Sequence, residues 1–378
     1  MLDNAGNAVD GAGGGPMDTP PGNPWRGLIA RYGDRMAIDR RIEPVTLFEG
    51  NTPLIPAPRL AARVAPGAEL FLKYEGLNPT GSFKDRGMTA AITQAVADGA
   101  KAVICASTGN TAASAAAYSA RAGLRCIVLI PEGKIAVGKL AGALAYGAEV
   151  IAIRGSFDDG LRLVQEVSQR LPIALVNSVN PARLEGQKTA AWEVVEQLGS
   201  VPDWLCLPVG NAGNISAYWL GFSQGVAQVS TEPPLPARPR LLGAQAEGAA
   251  PIVLGRRVEQ PETRATAIRI GNPARWDQAV AALRESCGHV LSVTDEEIFD
   301  AYRWVARTEG VFCEPSSAAG VAGLMKAVRS RKVEPEGKRI VCVLTGHGLK
   351  DPDSAAEGAA SPRILDADLG ALMEVLQP

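Results

Sequence analysis

Histidine is nearly missing from this chain, with His289 and His347 the only two in 378 residues. Zinc sites draw on imidazole and clustered thiolates, so no zinc site is expected. The six cysteines, Cys105, Cys126, Cys206, Cys287, Cys313 and Cys342, show no CxxC spacing. Cys105, Cys126, Cys206 and Cys342 sit inside apolar runs, where reduced core thiols belong, and this points to a cytoplasmic setting. An uninterrupted apolar run of membrane-spanning length is also lacking. Residues 1–22, rich in Gly, Pro, Asp and Asn, have neither the apolar core of a signal peptide nor the arginines of a transit peptide, and read as a disordered tail. Nor is there an excess of one charge. Lys and Arg number 38 against 40 Asp and Glu, for a formal −2, with no basic stripe, so neither nucleic acid nor an anionic membrane is an expected partner. No repeat of 20–50 residues suggests a solenoid.

What is present is alternation. Short apolar runs occur at 102–106, 125–130, 149–153, 173–176, 204–208, 241–246 and 339–344. Their near-continuous apolar character predicts strands covered on both faces, as in parallel sheets. Between them lie helical patterns. Residues 158–171 place Leu163, Val164, Val167 and Leu171 on one stripe, and residues 184–198 end at Gly199, a left-handed cap. Such alternation predicts a doubly wound α/β fold. A proline-rich connection over 232–239 and an arm with one weak helix over 351–378 interrupt the pattern.

Four short strings stand where ligands bind in such folds. Asn78-Pro-Thr-Gly-Ser-Phe-Lys-Asp-Arg-Gly87 reads as a turn with Ser82 capping a helix. Lys84 then stands in the first helical turn, where exposed N–H groups disfavour a cation and free its amine as a nucleophile. The competing reading is a solvated lysine beside Asp85. Ser107-Thr-Gly-Asn-Thr111 follows the run 102–106 and would let a ligand approach the backbone, unless it is a plain turn capped by Thr111. Gly210-Asn-Ala-Gly-Asn214 follows the run 204–208 and opens a helix, as an anion-binding nest of amides does. It has neither the lysine of a Walker A loop nor the spacing of a dinucleotide fold. Leu344-Thr-Gly-His-Gly-Leu-Lys350 ends the last run, with Thr345 at the carboxyl edge; His347 alone would be read as a loop histidine.

Together these strings resemble the fold-type II pyridoxal-phosphate enzymes, the tryptophan synthase β family, and within it the bacterial threonine synthases. The likeness runs from Trp25 to Pro352 and is most specific in Ser82–Gly87, in the string Asn177-Ser-Val-Asn-Pro-Ala-Arg-Leu-Glu-Gly-Gln-Lys-Thr189, and in Thr345–Gly348. It implies an α/β fold with two open-sheet domains and the active site between them. The large cofactor domain would comprise 23–79 and 176–350, and the smaller, mobile one 80–175. It implies pyridoxal 5′-phosphate as cofactor, with Lys84 as the Schiff-base lysine and Asn110 on the 3′-oxygen. Gly210, Asn211, Ala212, Gly213 and Asn214 would cradle the 5′-phosphate, and Thr345 would face the pyridine nitrogen. A hydroxyl there leaves that nitrogen largely unprotonated.

Further, the resemblance implies the substrate O-phospho-L-homoserine, converted with water to L-threonine and phosphate by γ-elimination and β-addition, and a homodimer. The substrate phosphate would meet Ser107, Thr111, Asn177, Arg183 and Lys188. Arg183 offers a planar fork suited to phosphate, the alternative being an ion pair with Glu185 or solvent. Phe48 departs from the glycine expected at its place in Leu47-Phe-Glu-Gly50. Rival readings are a threonine or serine dehydratase or a β-replacement enzyme of the same fold, which need no substrate-phosphate site. A dinucleotide oxidoreductase lacks its GxGxxG, and a non-catalytic scaffold would not need these four strings.

Overall fold

The computed structural model describes residues 24–133, 137–155, 157–225, 238–357 and 362–376. The tail expected over 1–22 and most of the proline-rich connection lie outside the described residues. Ten strands are described: β1 Leu54–Pro56, β2 Glu69–Tyr74, β3 Ala102–Ala106, β4 Arg125–Pro131, β5 Glu149–Ile153, β6 Ile173–Leu175, β7 Trp204–Pro208, β8 Arg240–Ala246, β9 His289–Val293 and β10 Arg339–Leu344. They form a six-stranded sheet, ordered β1-β2-β10-β7-β8-β9, and a four-stranded sheet, ordered β5-β4-β3-β6. Every pairing is parallel except β1 with β2.

Strands β3 and β7 are buried along their whole length, which explains their unbroken apolar sequence. At the edge of the smaller sheet the rule relaxes. Strand β5 is mostly exposed and β6 half-buried, so apolar character there reflects one covered face. Strands β1, β2 and β9 lie outside the apolar runs of the sequence. Strand β2 was legible by alternation, since Leu70, Leu72 and Tyr74 are buried on one face.

Helix starts differ from expectation in small ways. The helix Lys84–Ala97 begins at Lys84 with Phe83 at its N-cap, and Ser82 Oγ accepts only a long 3.4 Å bond from the Lys84 N–H. The helix Asn110–Ala122 starts after Gly109, so Thr111 lies inside it and is not its cap. The helix Phe157–Arg170 stops short of Leu171, which is exposed. Gly199 does adopt the left-handed conformation, φ 71°, that closes the helix Pro181–Leu198.

Glycine sets the key helix contact. A Cβ on Gly186 would lie 1.8 Å from the Arg86 carbonyl oxygen, so only glycine lets the helices Pro181–Leu198 and Lys84–Ala97 cross so closely. That crossing brings the start of the lysine helix beside Arg183.

Candidate active site

Three of the four strings leave the carboxyl ends of β3, β7 and β10, the edge where open parallel sheets bind ligands. The fourth is laced to the loop after β10 by main-chain bonds. Ser82 bridges to Gly346, the Phe83 N–H donates to the Thr345 carbonyl at 2.9 Å, and the His347 N–H donates to Gly81 at 2.9 Å. Lys84 is thereby held beside Thr345 although 260 residues separate them in sequence.

Lys84 is half-buried, with Nζ 4.0 Å from the centre of the Phe83 ring. Burial, and next the Arg183 guanidinium, push its pKa down to about 7, against an opposing pull from Glu314. Desolvation and a like charge act here, as they do on nucleophilic lysines generally. Asp85 is no partner: its carboxylate accepts from the Thr80 N–H and Oγ1, each at 2.6 Å, and from Ser114 Oγ at 2.5 Å. Burial raises its pKa to about 6 despite those bonds.

Glu314, which no sequence signal singled out, sits at the centre. The Asn110 amide donates to its two oxygens at 3.1 and 3.3 Å, and Thr345 Oγ1 lies 3.4 Å from Oε1. Ser317 Oγ lies 3.0 Å from Thr345 Oγ1 and accepts the Gly346 N–H at 2.9 Å. Burial raises the Glu314 pKa, favouring its neutral form. The apolar helix Pro315–Arg329 begins at this point, and Glu314 before Pro315 was the available hint. His347 is half-buried between the rings of Tyr74 and Phe312, and its Nδ1 accepts the Leu349 N–H.

The loop 210–214 follows β7 and opens the helix Gly213–Gly225. Ala212 takes φ 61°, a left-handed conformation of the kind found in anion-binding nests. Among the described residues the buried Asn214 Nδ2 has no partner, and neither has Gln187 Oε1, which is next to Gly213.

The residues expected around a substrate phosphate divide. Arg183 is 1% exposed, donates from Nη1 to the Val176 carbonyl at 3.1 Å, and leaves Nε without a partner among the described residues. It is no surface residue and makes no ion pair with Glu185. Lys188 takes that carboxylate instead, at 2.6 Å, and also donates to Gln224, so its ammonium is already occupied. The Asn177 side chain is used by the fold, accepting from the Ala106 N–H at 2.9 Å and donating to its carbonyl at 3.0 Å. Ser107 Oγ accepts the Gly109 N–H at 3.2 Å, and Thr111 is buried one residue beyond Asn110. A separate cleft of about 360 Å³, bordered by Arg264, Asp351 and Glu357, holds none of these residues.

A protein-family model described as pyridoxal-phosphate dependent enzyme matches residues 45–346. A threonine synthase from Synechocystis is 59% identical over 337 residues, spanning 89% of this chain and 86% of that protein. The chain belongs to the threonine synthases of the pyridoxal-phosphate-dependent enzymes. A Mycobacterium tuberculosis threonine synthase is 55% identical, covering 95% of this chain and 99% of its own length. In fold the chain is similar to maize serine racemase, with TM-score 0.68 and 23% identity over 86% of this chain and 91% of that one. It is similar also to cysteine synthase from Entamoeba histolytica, with TM-score 0.70 and 21% identity over 86% and 94%.

Its cofactor is pyridoxal 5′-phosphate, and the residues present fit that group. A buried amine of lowered pKa suits the aldehyde. The left-handed turn at Ala212 and the partnerless Asn214 Nδ2 suit a phosphate, and Arg183 Nε suits a second anion.

Proposed function

We infer that this chain converts O-phospho-L-homoserine and water to L-threonine and inorganic phosphate, with the site residues in the roles that follow. The reading is carried by kinship with threonine synthases at 48–59% identity over most of the chain. It is supported by a buried site whose cations, Lys84 and Arg183, have no carboxylate in ion-pair contact among the described residues. In the balance, the Cγ–O bond to phosphate breaks, water oxygen bonds to Cβ, and the protons lost from Cα and Cβ are matched by protons gained.

The amides of Gly210–Asn214 would hold the cofactor phosphate, Asn110 would donate to the ring oxygen, and the Thr345 hydroxyl would meet the ring nitrogen. Bound cofactor supplies an electron sink for negative charge on the substrate's α carbon. Lys84 Nζ, kept near neutrality by burial and by Arg183, moves the Cα proton and then the Cβ proton. Arg183 holds the leaving phosphate, with Ser107 and Thr111 beside it; Asn177 shapes the β3 end through Ala106 and Lys188 braces its helix through Glu185. Glu314 orients Asn110 by accepting from its amide at 3.1 Å, and Ser317 Oγ, 3.0 Å away, holds the Thr345 hydroxyl in place.

The division into a large domain of 23–79 with 176–350 and a smaller mobile one of 80–175 follows the two sheets, and closure of the smaller one would exclude water. No described helix is long and apolar enough to cross a membrane, and a cytoplasmic location is in keeping with six unpaired cysteines. A homodimer is supported by the helix Leu369–Leu376, whose Leu369, Leu372, Met373 and Leu376 form an exposed stripe that a second copy would cover.

The experiment is incubation of the holoenzyme with O-phospho-L-homoserine. Phosphate and threonine should appear in equal amounts. Release of 2-oxobutanoate from threonine, without phosphate release from phosphohomoserine, would replace this reading with a dehydratase.

A further inference from the structure

Arg275 belongs to none of the four strings, yet it is 8% exposed and touches two of the loops that matter. Its guanidinium donates to three consecutive carbonyls: Nε to Ser178 at 2.8 Å, and Nη2 to Val179 at 3.1 Å and Asn180 at 3.4 Å. Those carbonyls form the turn between Asn177 and the helix that carries Arg183. Asn180 also caps that helix, its side chain accepting the Ala182 N–H at 2.9 Å. The main chain of Arg275 is tied to the other loop, its N–H donating to the Asn211 carbonyl at 3.3 Å, with the Ala274 N–H 3.5 Å from Asn211 Oδ1.

Charge adds a second observation. Arg183 and Arg275 repel one another: after burial, Arg275 is what lowers the Arg183 pKa, to about 10. Among the described residues neither guanidinium forms an ion pair with a carboxylate, whereas the interior cations Lys73, Arg86 and Lys188 all do. Two buried, mutually repelling cations, one of them with an Nε that has no partner among the described residues, match a dianion.

We propose that Arg275 is a positioning residue of the substrate-phosphate site. Its planar fork fixes the Ser178–Asn180 turn against the loop Gly210–Asn214, sets the spacing between the two phosphate sites, and adds a second positive charge to the field at Arg183. This rests on reading Arg183 as the substrate-phosphate ligand.

The test compares holoenzymes carrying Arg275→Lys, Arg275→Gln or Arg183→Lys with wild type. The readouts are KM for O-phospho-L-homoserine, kcat, and the inhibition constant of inorganic phosphate. Both Arg275 variants should raise KM and the inhibition constant together by about ten- to a hundredfold, the worth of a charged hydrogen-bond set, while kcat falls by less than about threefold. Lysine should not rescue, because an ammonium does not span three carbonyls. A merely structural role would reduce the folded fraction and hence kcat, leaving KM and phosphate inhibition unmoved; that result, or rescue by lysine, overturns the proposal. Arg183→Lys separates the two possible failures. If it alone raises KM, Arg275 has no positioning role and the substrate-phosphate site stands. If it too leaves KM unchanged, that site is misassigned.

Discussion

Lys84 and Arg86 are two residues apart on one helix, both withdrawn from water, and their surroundings differ in counterions. Arg86 donates to Glu75 Oε2 at 2.6 Å and to Glu193 at 2.6 and 2.7 Å, while Lys73 donates to the same Glu193 at 2.9 Å. Burial alone would raise the Glu193 pKa, but the two cations bring it down to about 2. Around Lys84 the order is reversed: the strongest charge effect comes from another cation, Arg183, and the carboxyl that opposes it, Glu314, is itself pushed toward neutrality by burial. A buried charge with all its partners belongs to the scaffold. One left short of partners is poised for a ligand that brings its own negative charge, and the cost of keeping it that way is met by the rest of the fold.

The sharpest way to break this contrast is Lys84→Ala. Turnover should fall by about 10³-fold or more, and borohydride should no longer fix the cofactor to a peptide spanning residue 84. Its resistance to urea should equal or exceed that of wild type, because a half-buried amine without an ion-pair partner among the described residues is removed. Glu193→Gln should do the opposite. Stranding Arg86 and Lys73 should cost about 3–5 kcal/mol in urea unfolding, and a loss under about 1 kcal/mol would show that the network is not the scaffold described here.

Titration offers a gentler test. In protein stripped of cofactor, re-attachment needs the neutral amine, so its rate should rise with pH and level off above about 7, the Lys84 pKa. Loss on the acid side follows from protonation of the nucleophile. A rate still climbing beyond pH 9 would mark an ordinary, exposed lysine. The smallest effect expected is at Phe48, which holds φ 63° with its ring 57% exposed. Phe48→Gly should stabilise by about 0.5–1 kcal/mol, since the left-handed conformation costs a side chain more than glycine's extra unfolded freedom.

The same Phe48 shows what a sequence reading can register without explaining. Its departure from glycine was visible as a mismatch, but the positive φ that makes glycine suitable there belongs to the backbone. Strands β3, β7 and β10, and the loops that leave them, were legible because unbroken apolar runs and clustered small residues are local signals. Glu314, Ser317 and Arg275 were not, because each acts on residues 28 to about 200 positions away. Lys188 shows the converse. It lies in a family-specific string, yet the helix turns its ammonium to Glu185, three residues back.

By itself the sequence determined the α/β class, the carboxyl-edge loops and the family, and it put forward the amine at position 84. Each of those rests on periodicity, or on residue types adjacent in the chain. Tertiary structure decided which buried charges are matched and which are left short. That depends on contacts such as Gly186 against Arg86 and Phe83 against Thr345, where the chain meets itself after long excursions and only packing fixes the partner.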